Sequence, residues 1–127
     1  RLIAYVASTP ALDAVIARLG ASHAGQIRAM TRGNFAWRMA FPPQRQDMGH
    51  LIPPLIQWHG ERSGKHIRDS GWRLVSLEAE HPDAVALRSA LTDRGLGDAV
   101  KVRQSPHPRM VVQLRHRDGR DVTLTSA

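Results

Sequence analysis

Apolar residues along this chain either alternate with polar ones or recur at helical spacing. Leu12, Val15, Ile16 and Leu19 fall at i, i+3, i+4 and i+7, a single stripe on one helix face. Pro10 suits the first turn, because its φ is fixed and it has no N–H to leave unpaired. Thr9 is the expected N-cap and Gly20 the expected stop, which predicts a helix over 10–19. Ahead of it, Leu2 to Ala7 reads as a strand. Behind it come three strand-like runs, Gln26 to Thr31, Phe35 to Phe41 and Leu51 to Trp58. Phe35, Trp37, Met39 and Phe41 share one parity and therefore one face, with Arg38 on the other. Pro53-Pro54 predicts that the last run begins at an edge or a bulge, since proline cannot donate to a ladder.

The pattern returns 72 residues later. Arg1-Leu2-Ile3-Ala4-Tyr5-Val6-Ala7-Ser8-Thr9-Pro10 aligns with Arg73-Leu74-Val75-Ser76-Leu77-Glu78-Ala79-Glu80-His81-Pro82, and Leu19 falls on Leu91. Ala84, Leu87 and Leu91 form the second stripe, narrower because Arg88 stands where Ile16 would. This predicts a helix over 82–94, ended by Gly95 and Gly97. Val100 to Arg103, Arg109 to His116 and Asp121 to Thr125 read as strands, the last two joined by a tight turn at Asp118-Gly119. Each half therefore reads β-α-β-β-β, and the polar, aperiodic stretch 61–70 is the linker. The expected fold is α+β: two tandem modules, 1–60 and 71–127, forming a curved, mostly antiparallel sheet with the helices on its outer face. Because a strand starts almost at Arg1, which is not methionine, we expect the chain to be the C-terminal part of a longer protein.

Composition narrows the chemistry. The 127 residues contain no cysteine, which excludes disulfides, thiolate zinc sites and cysteine nucleophiles. A hydrophobic fraction of 42% is ordinary for a globular chain, and no apolar run approaches the ~20 residues of a membrane span. No membrane association and a cytoplasmic location are therefore expected. Net charge is +7, but only Lys65 and Lys101 of the 18 basic residues are lysines, and acids interrupt the arginines, as in Arg115-His116-Arg117-Asp118-Gly119-Arg120. A contiguous basic stripe interleaved with aromatics is not visible, so nucleic acid is not expected as a partner and polyanion binding ranks third.

Two β-α-β-β-β modules, each opening with a strand that runs into a Pro-led helix, resemble the vicinal oxygen chelate superfamily of glyoxalase I, extradiol dioxygenases and antibiotic-resistance binding proteins. More narrowly, Trp37 followed by Gly49-His50-Leu51-Ile52-Pro53-Pro54-Leu55-Ile56-Gln57-Trp58 is similar to a glyoxalase-like family of bacterial proteins, as is Leu77-x-x-x-His81-Pro82-Asp83. The resemblance implies a small organic ligand on the concave face. It also implies a homodimer, or docking with a further module upstream. In metal-dependent members the first strand of a module supplies a His or Gln ligand and a late strand a Glu. Here those places fall on Ala4 and Ser76, and on Gln57 and Thr123 or Thr125. No carboxylate or imidazole stands there. No metal and no cofactor of its own is therefore expected. The first reading is a small-molecule-binding domain. The alternative is part of a lyase or dioxygenase whose ligands lie on an upstream module.

The candidate ligand-binding residues are Trp37, Arg38, Gln57, Trp58 and Glu78. Trp37 and Trp58 offer large apolar faces with one N–H each. Arg38 or Gln57 could fix a carboxylate or carbonyl beside them. Gln57 and Trp58 have opposite parity, so only one can face a pocket in a regular strand. Glu78 shares a face with Ser76 and Glu80, opposite Leu77 and Ala79, where it could act as a base or an orienting acceptor. His59, Glu61 and His66 have ligand chemistry but sit in or beside the linker. His107, between two prolines, reads as structural or exposed. Ser8, Ser76 and Ser126 have no His-acid pairing that would make a nucleophile, and no catalytic residue is assigned.

Overall fold

The computed structural model describes residues 4–44 and 46–126. Its strands form two four-stranded, mostly antiparallel sheets with few helices, a mixed α+β chain. The single curved sheet expected from the repeat is thus corrected to two, because every described ladder stays within its own set of four strands. Two compact units result. One comprises Tyr5–Asp47 and Pro53–Arg68; the other is built on residues 69–126, with Met48–Ile52 attached to it.

The first unit runs β1 (Ala7–Ser8), α1 (Leu12–Leu19), α2 (Ala21–Ala24), β2 (Ile27–Arg32), β3 (Phe35–Ala40) and β4 (Leu55–His59). The sheet order is β1-β4-β3-β2, with β1 parallel to β4 and the other pairs antiparallel. Of the strand expected over 2–7, Leu2 and Ile3 lie outside the described residues, and pairing begins at Ala7. α1 seats its predicted stripe on the sheet: Leu12 is wholly buried with Ala40 and Leu55, and Val15, Ile16, Leu19 and Ile27 pack around them. Its N-cap is Ala11, not Thr9, and no side chain caps it there; the Thr9 hydroxyl accepts from the Ala11 N–H at 3.2 Å, a local turn that starts two residues early. β4 lies inside the sheet rather than at its edge. It accommodates Pro53-Pro54 by starting after them, so Pro54 contributes only its carbonyl, which accepts from the Ala7 N–H at 3.1 Å. Between α2 and β2, Gly25 has φ +88°, and a Cβ there would lie 1.9 Å from the Phe41 carbonyl oxygen. Only glycine fits that approach.

The second unit runs β5 (Trp72–His81), α3 (Ala84–Asp93), β6 (Lys101–Gln104), β7 (Arg109–His116) and β8 (Asp121–Thr125), in the order β6-β5-β7-β8. β5 is parallel to β6 and antiparallel to β7. One residue, Val75, is left over where the β5–β7 register shifts between Leu74 and Ser76, a bulge. Ala79, Leu87 and Leu91 are fully buried, with Ala84, Val100, Met110 and Val112 nearly so. α3 begins at the Asp83 cap, whose carboxylate accepts from the Ala86 N–H at 3.1 Å. It ends in a Schellman turn: Leu96 N–H donates to the Leu91 carbonyl and Gly95 N–H to that of Thr92, with Gly95 at φ +75°. The aperiodic stretch before β5 holds one short 3-10 turn, Ser63–His66, in the first unit. No helix among the described residues is long and apolar enough to cross a membrane.

Candidate functional site

Strand register decides which candidates share a face. Across β2, β3 and β4 one row reads Met30–Trp37–Trp58; the rows on either side read Ala29–Arg38–Gln57 and Thr31–Ala36–His59. Side chains alternate, so Met30, Trp37 and Trp58 point one way and the flanking rows the other. α1 covers the second face, because its partners Ile27, Ala40 and Leu55 share that parity. The tryptophans are thus on the face that α1 leaves uncovered. Their rings meet with centroids 5.3 Å apart at 48°, a contact worth about 0.5–1.5 kcal/mol beyond area burial. Met39 and Ile56 lie beside them on the same face, as do Phe35 and, from the edge strand, Arg28 and Arg32.

Arg38 and Gln57 are brought together, but with α1 rather than with the tryptophans. Arg38 donates to both carboxylate oxygens of Asp13, at 3.1 and 2.7 Å, and to Gln57 Oε1 at 3.1 Å. The same Oε1 accepts from the Leu12 N–H at 2.9 Å, one of the orphan donors of the helix N-terminus. Hydrogen bonding from Arg38 holds the Asp13 carboxyl below the usual carboxylate range. A depression of about 360 Å³ borders this pair. Trp37 and Trp58 line it together with Arg38 and Gln57, as do Met30 and His59 and the small residues Ala29, Thr31 and Ala36.

A second cleft, of about 330 Å³, adjoins Trp58. Ser8, Thr9, Pro10, Trp58, Gly60 and Arg62 line it with Gln57, at the carboxyl ends of the parallel pair β1 and β4. Ser8 pairs with Ile56 and so shares the tryptophan face. Neither Ser8 nor Arg62 offered a signal in the sequence. Ser8 could have been found by its parity with Ile56 once β1 was placed beside β4. Arg62 lies in an aperiodic stretch where spacing says nothing. Asp13 was also missed, although its place in the first turn of an amphipathic helix is where an arginine from the underlying sheet would look for an acid.

Glu78 belongs to the second unit. It lies opposite Val111 and beside Lys101, on the sheet face away from buried Ala79, with an Arg103 nitrogen 3.6 Å from its carboxylate. Its neighbour Glu80 forms a two-pronged pair with Arg109 at 2.9 and 3.0 Å, which depresses the Glu80 pKa. Ser76 is opposite Gln113. On the adjoining strand ends, Trp72 meets His116 edge-on at 5.0 Å and carries the Arg120 guanidinium 5.5 Å from its ring. Of the histidines near the linker, His66 bonds Glu61 at 2.9 Å and sets its ring against Phe35 at 5.5 Å. Among the described residues no three His, Asp or Glu side chains are grouped to hold a metal ion.

A family model described as a glyoxalase-like domain matches residues 1–95, from the start of the chain through the end of α3. No curated protein matches the chain. The match covers the Trp37–Trp58 stretch and the His81-Pro82-Asp83 corner that carry the likeness in the sequence. On this evidence the chain belongs to the glyoxalase-like domain family.

Proposed function

We propose that the chain is a small-molecule-binding domain that holds a planar organic ligand on the Trp37–Trp58 face of its first sheet and has no metal site of its own. The observation that carries this is the position of the tryptophan pair. Two large aromatic rings in contact lie on the side of the sheet that α1 does not use, beside Met30 and Phe35. A core role for them in helix packing is already filled by Leu12, Ala40 and Leu55 on the other side. Stacking on indole suits a flat, weakly polar ligand.

In the finer architecture we propose, 1–60 and 71–127 are two modules joined by 61–70, with helices outward and the tryptophan face turned to the concave side. The matching openings at 7–19 and 79–91 support it. The domain works as a homodimer, or docked to an upstream module, in the cytoplasm. Arg38 and Gln57 then act as positioning residues beneath the tryptophan row, and Glu78 is a ligand-binding candidate on the second module's own sheet.

The test is a screen of planar fragments by nuclear magnetic resonance, reading the three indole N–H signals. Binders should shift the signals of Trp37 and Trp58, leave that of Trp72 in place, and be lost in Trp37→Leu and Trp58→Leu. Binding retained in both variants would overturn the reading. So would a stoichiometric divalent metal, found by elemental analysis of the purified chain, whose loss abolishes binding.

A further inference from the structure

The cleft beside Trp58 has a chemistry distinct from the tryptophan row it adjoins. Its polar side-chain groups are the Ser8 and Thr9 hydroxyls, the Gln57 amide and the Arg62 guanidinium; no carboxylate lines it. The Gln57 oxygen already accepts from Leu12 N–H and Arg38. Thr9 Oγ1 accepts from Ala11 N–H and keeps its own proton to donate. Among the described residues, arginines 38, 73, 103, 109, 115 and 120 each lie within 4 Å of an acidic side chain, which ties up their charge. Arg62 is not among them, and it stands at a cavity wall formed by an indole. A volume of about 330 Å³ is at the lower end of what small-ligand pockets occupy.

We propose that the ligand of this face is a small aromatic anion, whose ring lies against Trp58 while its carboxylate or phosphate enters the cleft between Arg62, Ser8 and Thr9. Charge complementarity carries the assignment: three residues with side-chain donors line the cleft, one of them a permanent cation, and no acid is among the lining residues. Arg62 offers the planar fork that suits a two-oxygen acceptor, and the hydroxyls take the remaining lone pairs. The inference rests on the proposed tryptophan-face reading and names the ligand class for it.

The experiment is calorimetric titration of the 127-residue chain with phenylacetate, phenyl phosphate, the neutral phenylacetamide and acetate, each repeated on Arg62→Gln, Ser8→Ala and Trp58→Leu. Either aromatic anion should bind at least tenfold more tightly than the amide, and the pair of anions identifies which head group the cleft prefers. Arg62→Gln should remove that preference, bringing anion and amide affinities together, and Ser8→Ala should reduce it several-fold. Acetate should bind too weakly to measure. Equal affinity for anion and amide, or anion preference unaltered in Arg62→Gln, overturns the proposal even if Trp58→Leu abolishes binding, which would leave the tryptophan-face reading standing. Binding of all ligands untouched by Trp58→Leu overturns both. Arg62 is an exposed loop residue, so its substitution leaves the fold intact, and the retained indole N–H spectrum confirms it.

Discussion

The two units solve one problem twice with different strands. In each, a strand runs through a Pro turn into a helix, and the first N–H of that helix needs an acceptor. In the first unit, Leu12 N–H donates to Gln57 Oε1 at 2.9 Å; in the second, Ala84 N–H donates to Gln104 Oε1 at 3.4 Å, while Gln104 Nε2 donates to the Pro82 carbonyl. Leu12 and Ala84 are equivalent at the 72-residue offset, but the two glutamines are not. Gln57 comes from β4, the last strand of its sheet, and Gln104 from β6, the strand that directly follows the helix. What they share is position: each sits on the strand that pairs in parallel with the first. The repeat in sequence therefore encodes a corner rather than a sheet order, and whichever strand lies parallel to it completes the corner.

The corners also differ in their caps, and these differences can be pressed. The largest effect should come from the buried stripes. Leu12→Ala and Leu87→Ala each remove a fully buried side chain and should cost about 2–5 kcal/mol in urea unfolding; a loss below 1 kcal/mol at either would mean that its corner can collapse around the gap. Next are the glutamines. Gln57→Ala leaves both Leu12 N–H and an Arg38 donor without their acceptor and should cost about 1–3 kcal/mol. Gln104→Ala gives up a longer bond to Ala84 N–H and the bond to the Pro82 carbonyl, at a more exposed residue, and should cost about 0.5–1 kcal/mol. An equal cost would show that the corners are energetically alike despite their different strands.

The caps come third. Asp83 caps α3, while its equivalent Ala11 leaves α1 uncapped. Asp83→Ala should cost about 1 kcal/mol and Ala11→Ser should gain about 0.5 kcal/mol, both read from the thermal midpoint. The smallest effect is on acid sensitivity. Arg38 depresses the pKa of Asp13, and Arg109 that of Glu80. A depressed folded-state pKa contributes stability that is present above the unfolded value near ~4 and is lost as pH falls through the folded one. Unfolding midpoints should therefore fall below about pH 4, and Asp13→Asn should flatten that fall slightly. Because Asp13 is solvent-exposed, a wild-type slope identical to that of Asp13→Asn would assign the acid response to Glu80 and the other pairs.

Much of this was legible in the sequence, and what was not has physical causes. β7 and β8 were predicted to the residue, because alternation and a tight turn are local signals. So was the shared face of Phe35, Trp37 and Met39. Pairing was not legible: periodicity assigns faces and cannot say that β5 chooses β6 while β1 chooses β4. For the same reason the Arg38–Asp13 pair was not legible, since Asp13 is 25 residues away and becomes visible only when α1 lies across β3. The four-residue α2 was missed because it spans barely one helical turn, too short for a stripe to repeat. At the candidate site, the two tryptophans and their opposition to Arg38 followed from parity, whereas the cleft of Ser8 and Arg62 required the parallel β1–β4 pair.

The bulge at Val75 has a consequence for how this strand tolerates change in length. A slip of one residue in a regular strand exchanges its two faces throughout. Here the extra residue is confined between Leu74 and Ser76, so Trp72 stays opposite His116 while Ala79 stays opposite Met110. The two halves of β5 are thus uncoupled in register. Val75 is a residue that neither ladder uses. Removing it should leave the α3 core and the Trp72–His116 contact each on its own side of the strand, which makes position 75 the joint of β5.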